Sequence, residues 1–108
     1  MTTKIEPIIE PSRLQKGIML VIKTTTKTLN FDMLDGGKAV VQGDIKIFKT
    51  KTPCQIIGSL DKDGTFFADK VCKDKQLVLS IPTGRHTIGA VKAAIIRGDG
   101  WEYELWGS

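Results

Sequence analysis

An antiparallel all-β domain, built as a β-sandwich of about seven strands, follows from three features of the sequence. Apolar residues alternate with polar ones over short stretches. Glycine-containing turns separate those stretches. The loop lengths of the turns set apolar residues across from apolar residues. Residues 1–16 read as an extended N-terminal arm and 17–108 as one β domain, with a small β-barrel as the alternative closure of the same strands.

The arm carries Pro7 and Pro11, which remove backbone donors and favour extended geometry before them. It still presents Ile5, Ile8 and Ile9. Such an arm either frays or lies along a neighbouring subunit and buries those isoleucines. Residues 17–23 (Gly-Ile-Met-Leu-Val-Ile-Lys) form an apolar run that suits a strand buried on both faces. Residues 24–27 are a polar link.

The next two strands define a register. Leu29, Phe31 and Met33 share one face, because side chains alternate along a strand. Ala39, Val41, Gly43, Ile45 and Ile47 share the facing one. A loop of Asp35-Gly36-Gly37 sets Met33 across from Ala39 and Phe31 across from Val41. A loop shorter by one would set Phe31 across from Gln42, and a one-residue slip inverts a whole face. Gly37 supplies the positive φ that a three-residue hairpin needs.

Residues 49–53 form a loop ending in Pro53. A turn at Lys62-Asp63-Gly64 pairs Leu60 with Phe66 and Gly58 with Ala68. Extended further, that register places Cys54 across from Cys72. Lys73-Asp74-Lys75 would turn the chain again, bringing Val71 beside Leu77 and Phe67 beside Ile81. Leu77, Leu79 and Ile81 point inward, and Pro82-Thr83-Gly84 is another turn.

Residues 87–96 fit a strand or a helix. The strand reading gains from a turn at Gly98-Asp99-Gly100, which would pair Ile95 with Tyr103 and Ala93 with Leu105. Trp101 and Tyr103 would then face the core. Trp106 would face outward beside Lys92, as a cap on the sheet or an interface anchor. The expected core is Leu29, Phe31, Val41, Ile45, Ile47, Leu77, Leu79 and Tyr103.

Composition narrows the classes. The chain has 108 residues, 41% hydrophobic, and a net charge of +4. That suits one core. No apolar run approaches the ~20 residues of a membrane-spanning helix. The N-terminus lacks an apolar secretory segment, so synthesis without export is the expectation. Between Lys38 and Lys75, eight lysines stand against five aspartates. Lysines at turns and on strand edges discourage aggregation, and the same surplus could meet phosphates.

No catalytic, cofactor-binding or metal-binding set emerges. Two cysteines and one histidine are too few for a zinc site, which takes four ligands. Cys54 and Cys72 read as small core residues, with a cross-strand disulfide as the alternative. A calcium loop around Asp61-Lys62-Asp63-Gly64 would end on Lys70 where a bidentate glutamate is required. Gly84 to Gly89 has the glycine spacing of a phosphate loop, but Ala90 and Val91 follow where Lys and Ser or Thr are needed. Arg97-Gly98-Asp99 spells an adhesion tripeptide that the turn already explains. An enzyme is not expected.

Two resemblances add to this. Pro53, Ile56-Ile57-Gly58 and Asp61-Lys62-Asp63-Gly64-Thr65-Phe66 resemble the carboxypeptidase-regulatory-like or transthyretin-like β-sandwich modules. That resemblance implies a module that binds or braces. In style, a short, turn-rich, motif-free chain with an extended arm is similar to small all-β structural proteins of tailed bacteriophages. The expectation is a non-enzymatic assembly module, a homo-oligomer or one docked on a larger protein assembly such as a capsid or tail, located in a virion or the cytoplasm. Its candidate interface is Ile5, Ile8, Ile9 and Trp106. The alternative is a single-strand nucleic-acid binder using the lysines of residues 46–75, with Phe66 or Phe67 as stacking platforms. No membrane partner is expected.

Overall fold

The computed structural model describes residues 8–106. Nine strands form there: β1 (Met19–Lys23), β2 (Thr28–Met33), β3 (Lys38–Gly43), β4 (Thr52–Leu60), β5 (Phe66–Ala68), β6 (Gln76–Ile81), β7 (Gly84–Ala90), β8 (Ala93–Gly98) and β9 (Trp101–Leu105). They make one antiparallel sheet in the order β7-β6-β4-β3-β2-β1-β8-β9, with β5 attached to β4. Among the described residues the sheet is not closed: β7 and β9 end its path as edge strands, and β5 pairs with β4 alone. Its inner face wraps one core drawn from β1, β2, β3, β4, β6, β7, β8 and β9. This is the all-β antiparallel fold expected, compatible with a sandwich, with more strands than foreseen. The barrel alternative is not formed.

The β2–β3 hairpin has the predicted register. Met33 pairs with Ala39 and Phe31 with Val41. The three-residue loop Asp35–Gly37 puts both glycines at positive φ. Strand β1 lies between β2 and β8 and is buried at Leu20, Val21 and Ile22, as a run apolar on both faces requires. Residues 87–96 are extended, divided between β7 and β8.

Beyond β3 the alternation misleads. Ile45 is half-buried, but a 3-10 turn at Lys46–Phe48 reverses the faces. Ile47 is exposed and Phe48 takes the core place expected for it. A turn of 3-10 helix repeats every three residues, so period two no longer tells inside from outside.

The turn after β4 also forms as read. Leu60 pairs with Phe66 and Gly58 with Ala68. The register does not continue to the cysteines. Ile57 is an extra residue in β4, a bulge that shifts its pairing with β6. Asp69 adopts a positive φ and turns the chain out of β5. The buried Ser59 hydroxyl then holds the departing segment, donating to the Lys70 carbonyl at 2.7 Å and accepting from the Cys72 amide at 3.2 Å. Cys54 therefore lies across from Ala39, not Cys72, and both cysteines are free and buried. For the same reason β6 does not fold back on β5. It pairs with β4, setting Ser59 opposite Leu77.

Candidate functional site

The inner face of the sheet is written as rows of cross-strand neighbours. One row runs Val41, Phe31, Leu20, Ile96, Tyr103. The next runs Gly43, Leu29, Ile22, Ala94, Leu105. Side chains in a row share a face, so Tyr103 points to the same side as Phe31. Their surroundings differ sharply. Phe31 and Leu20 are fully buried, Ile96 is half-buried, and Tyr103 is 62% exposed. The core face continues past its cover onto the β8–β9 hairpin.

Trp101 lies on that side as well, paired with Gly98 and 49% exposed. A Cβ at Gly98 would run into the indole, so glycine here lets the ring lie across the hairpin. On the opposite face Arg97 grips Glu102, with Nη2 at 2.6 Å and Nε at 2.7 Å from one carboxylate oxygen. Both residues are half exposed, so this pair orders the hairpin more than it stabilises it. Glu104 lies beyond, across from Ile95.

These aromatics do not pair as the sequence predicts. The hairpin loop is two residues, Asp99-Gly100, because Gly98 pairs with Trp101. Ile95 therefore faces Glu104, and Tyr103 faces Ile96. Tyr103 leaves the expected core and Leu105 enters it, next to the half-buried Trp106 that packs against the core. Lys92 does not meet Trp106 in this register. It reaches Asp74 at 2.9 Å, and that contact holds the Asp74 carboxyl below the usual carboxylate range.

The other candidate interface residues are scattered. Ile5 lies outside the described residues. Ile8 is exposed. Ile9 is buried in this chain's own core, its backbone bridging Val71 in both directions. Pro11 is buried and Leu14 packs on the core. Ser12 binds the Asp69 carboxylate through both its amide and its hydroxyl. The described part of the arm thus closes the core beside β4 and β5. Sequence reasoning put Trp101 and Tyr103 on the core side, where they are, and missed them as surface groups because nothing local shows that the cover stops short of β9.

Three titrating groups among the described residues, Cys54, Asp63 and Asp74, depart clearly from their ordinary values. Burial pushes the Cys54 thiol up to about 12, which keeps it protonated and unreactive. Asp63 is held below the usual range by the Thr65 backbone amide, as a turn aspartate should be. His86 makes an edge-to-face contact with Phe48, ring centroids 5.5 Å apart. No cluster of three or more His, Cys, Asp or Glu able to hold a metal occurs among the described residues. No helix among them is long and apolar enough to cross a membrane. Among the hollows on the surface, one is lined by Arg97, Gly98, Gly100, Trp101 and Glu102 and another by Leu60, Lys62, Asp74, Gln76 and Ala90.

In comparisons with known proteins, no family model, curated protein or solved structure matches the chain.

Proposed function

We propose that the protein is a non-enzymatic assembly module that engages protein partners through the β8–β9 edge. The observation that carries this is the uncovered continuation of the core face, where Trp101 and Tyr103 stand exposed beside a free strand edge. An exposed aromatic pair on a rigid hairpin offers large contact area at small entropic cost, and Trp and Tyr are the residues that anchor interfaces. An open edge also offers unpaired backbone groups to a partner. A role as a building part of a particle, such as a phage capsid or tail, accords with this reading.

The test is light scattering behind a sizing column, at low and high salt, on the full chain and on a Trp101→Lys/Tyr103→Lys variant. The reading expects an oligomer that survives salt in the parent chain and a monomer in the variant. Identical behaviour of the two would contradict it.

A second reading keeps one supporting observation. Neither Phe66 nor Phe67 is buried, so both remain open to base stacking. Against it, Lys75 caps the Phe67 ring at 5.2 Å and pairs with Asp61, while Lys70 pairs with Glu10. An oligonucleotide titration at low salt that shows no binding would dismiss it.

A further inference from the structure

We infer that the partner of the β9 edge is the β7 edge of a second copy, so that the sheet continues head to tail from one chain to the next. This rests on the assembly reading above and names its occupant.

Direction is the first argument. The path from β7 to β9 holds eight strands, each antiparallel to its neighbours. In an even-numbered antiparallel path the two outer strands run in opposite directions. A copy set beside β9 in the same orientation therefore presents β7 antiparallel to it, and its inner face joins the inner face.

The hydrogen-bonding phase is the second. Both edges belong to hairpins with two-residue loops, Ile81 pairing with Gly84 and Gly98 with Trp101. Such a loop is closed by a hydrogen-bonded pair, and hydrogen-bonded pairs alternate along the ladder. The backbone groups of Glu102 and Glu104 thus point away from β8. Those of Arg85 and Thr87 point away from β6.

Charge selects the register and rejects the alternative. Placing Glu104 opposite Arg85 sets Glu102 opposite Thr87, Tyr103 opposite His86 and Trp101 opposite Ile88. Acidic then meets basic on the outer face; on the inner one Tyr103 meets the half-buried His86, and Trp101 comes beside Ile88, which is buried in its own core. Arg85 and Glu104 are both exposed, and neither forms an ion pair among the described residues. Two β9 strands could pair with each other only by joining Glu102 and Glu104 to their own kind, since these residues alone carry the outward backbone groups. Like charges directly opposite destabilise a ladder. A β9-to-β7 contact is heterologous, so it builds a ring or a filament, not an isolated dimer.

The experiment is disulfide trapping with two full-length variants, Tyr103→Cys and His86→Cys, oxidised separately and mixed. The proposed register makes positions 103 and 86 a non-hydrogen-bonded pair, with Cα atoms about 4.5 Å apart, within disulfide reach. Cys54 and Cys72 are buried and can stay. The expected result is a cross-linked species in the mixture only. Cross-linking of Tyr103→Cys alone, or of His86→Cys alone, overturns the inference in favour of like-edge pairing and leaves the assembly reading standing. No cross-link, with the parent chain still oligomeric, also overturns the inference alone. No cross-link with a parent monomeric at every concentration overturns both. A charge exchange guards against misfolded cysteine variants. Arg85→Glu and Glu104→Arg should each weaken assembly several-fold, and the double exchange should restore it. Failure to restore counts against the register.

Discussion

The two ends of the inner face are built from the same rows of side chains and finished differently. Beside β4 and β5 the core is closed by the arm, through Ile9, Pro11 and Leu14, and by Val71 in the segment held on Ser59. At β8 and β9 nothing described lies over Tyr103 and Trp101. Strand pairing alone decides which side a residue faces. Whether that side is dry depends on a cover that comes from far away in sequence. The same kind of residue is therefore a core group at one end and a surface group at the other.

The largest effect that would break this contrast is at the dry end of a row. Phe31→Ala should cost about 3–5 kcal/mol, because a fully buried ring leaves both lost transfer energy and a cavity. Tyr103→Ala, in the same row, should cost less than about 0.5 kcal/mol in the monomer. Urea unfolding of the two variants checks the pair. Equal losses would mean that Tyr103 is covered.

A smaller contrast lies in two glycines. At Gly58, with φ +156°, a Cβ would meet the Phe67 carbonyl, which is backbone and cannot swing aside. At Gly98 the nearest atoms it would meet belong to the Trp101 side chain. Gly58→Ala should therefore lower the unfolding midpoint clearly. Gly98→Ala should leave it nearly unchanged while moving Trp101, seen as a shift in tryptophan emission.

The smallest effect is electrostatic. The Asp74 carboxyl is held low by Lys92 across the β6 and β8 approaches. Its contribution is present above the unfolded carboxylate value, near 4, and is lost as pH falls through the lower folded value. Asp74→Asn should be less stable than the parent at neutral pH, with the gap closing in acid and shrinking with salt. A gap independent of pH would assign the loss to something other than this charge.

Local chemistry read much of the fold correctly, and the errors fall where a 3-10 turn, a bulge or a distant packing partner interrupts the alternation. The β2–β3 and β4–β5 hairpins were readable because their loops, Asp35-Gly36-Gly37 and Lys62-Asp63-Gly64, admit one register that pairs apolar with apolar. At Gly98-Asp99-Gly100 two registers are both plausible, since Trp101, Tyr103 and Leu105 are apolar in either. In the register that forms, Leu105 pairs with Ala94 and joins the core cluster that also holds Ile22, a tertiary arrangement that no window of sequence displays. The bulge at Ile57 and the turn at Asp69 hid the separation of Cys54 from Cys72 in the same way. The candidate site suffered most, because a surface aromatic is defined by a missing cover and a missing cover has no motif.

If β9 is an assembly edge, its outward amides lose contact with solvent when chains associate, and amide hydrogen exchange reads this residue by residue. In the isolated chain the Glu102 and Glu104 amides point to solvent and should exchange quickly. With rising protein concentration, protection should grow at both, together with Arg85 and Thr87, while the core amides of β1 and β2 stay unchanged. Fast exchange at Glu102 and Glu104 at every concentration, in a chain that nevertheless assembles, would contradict it.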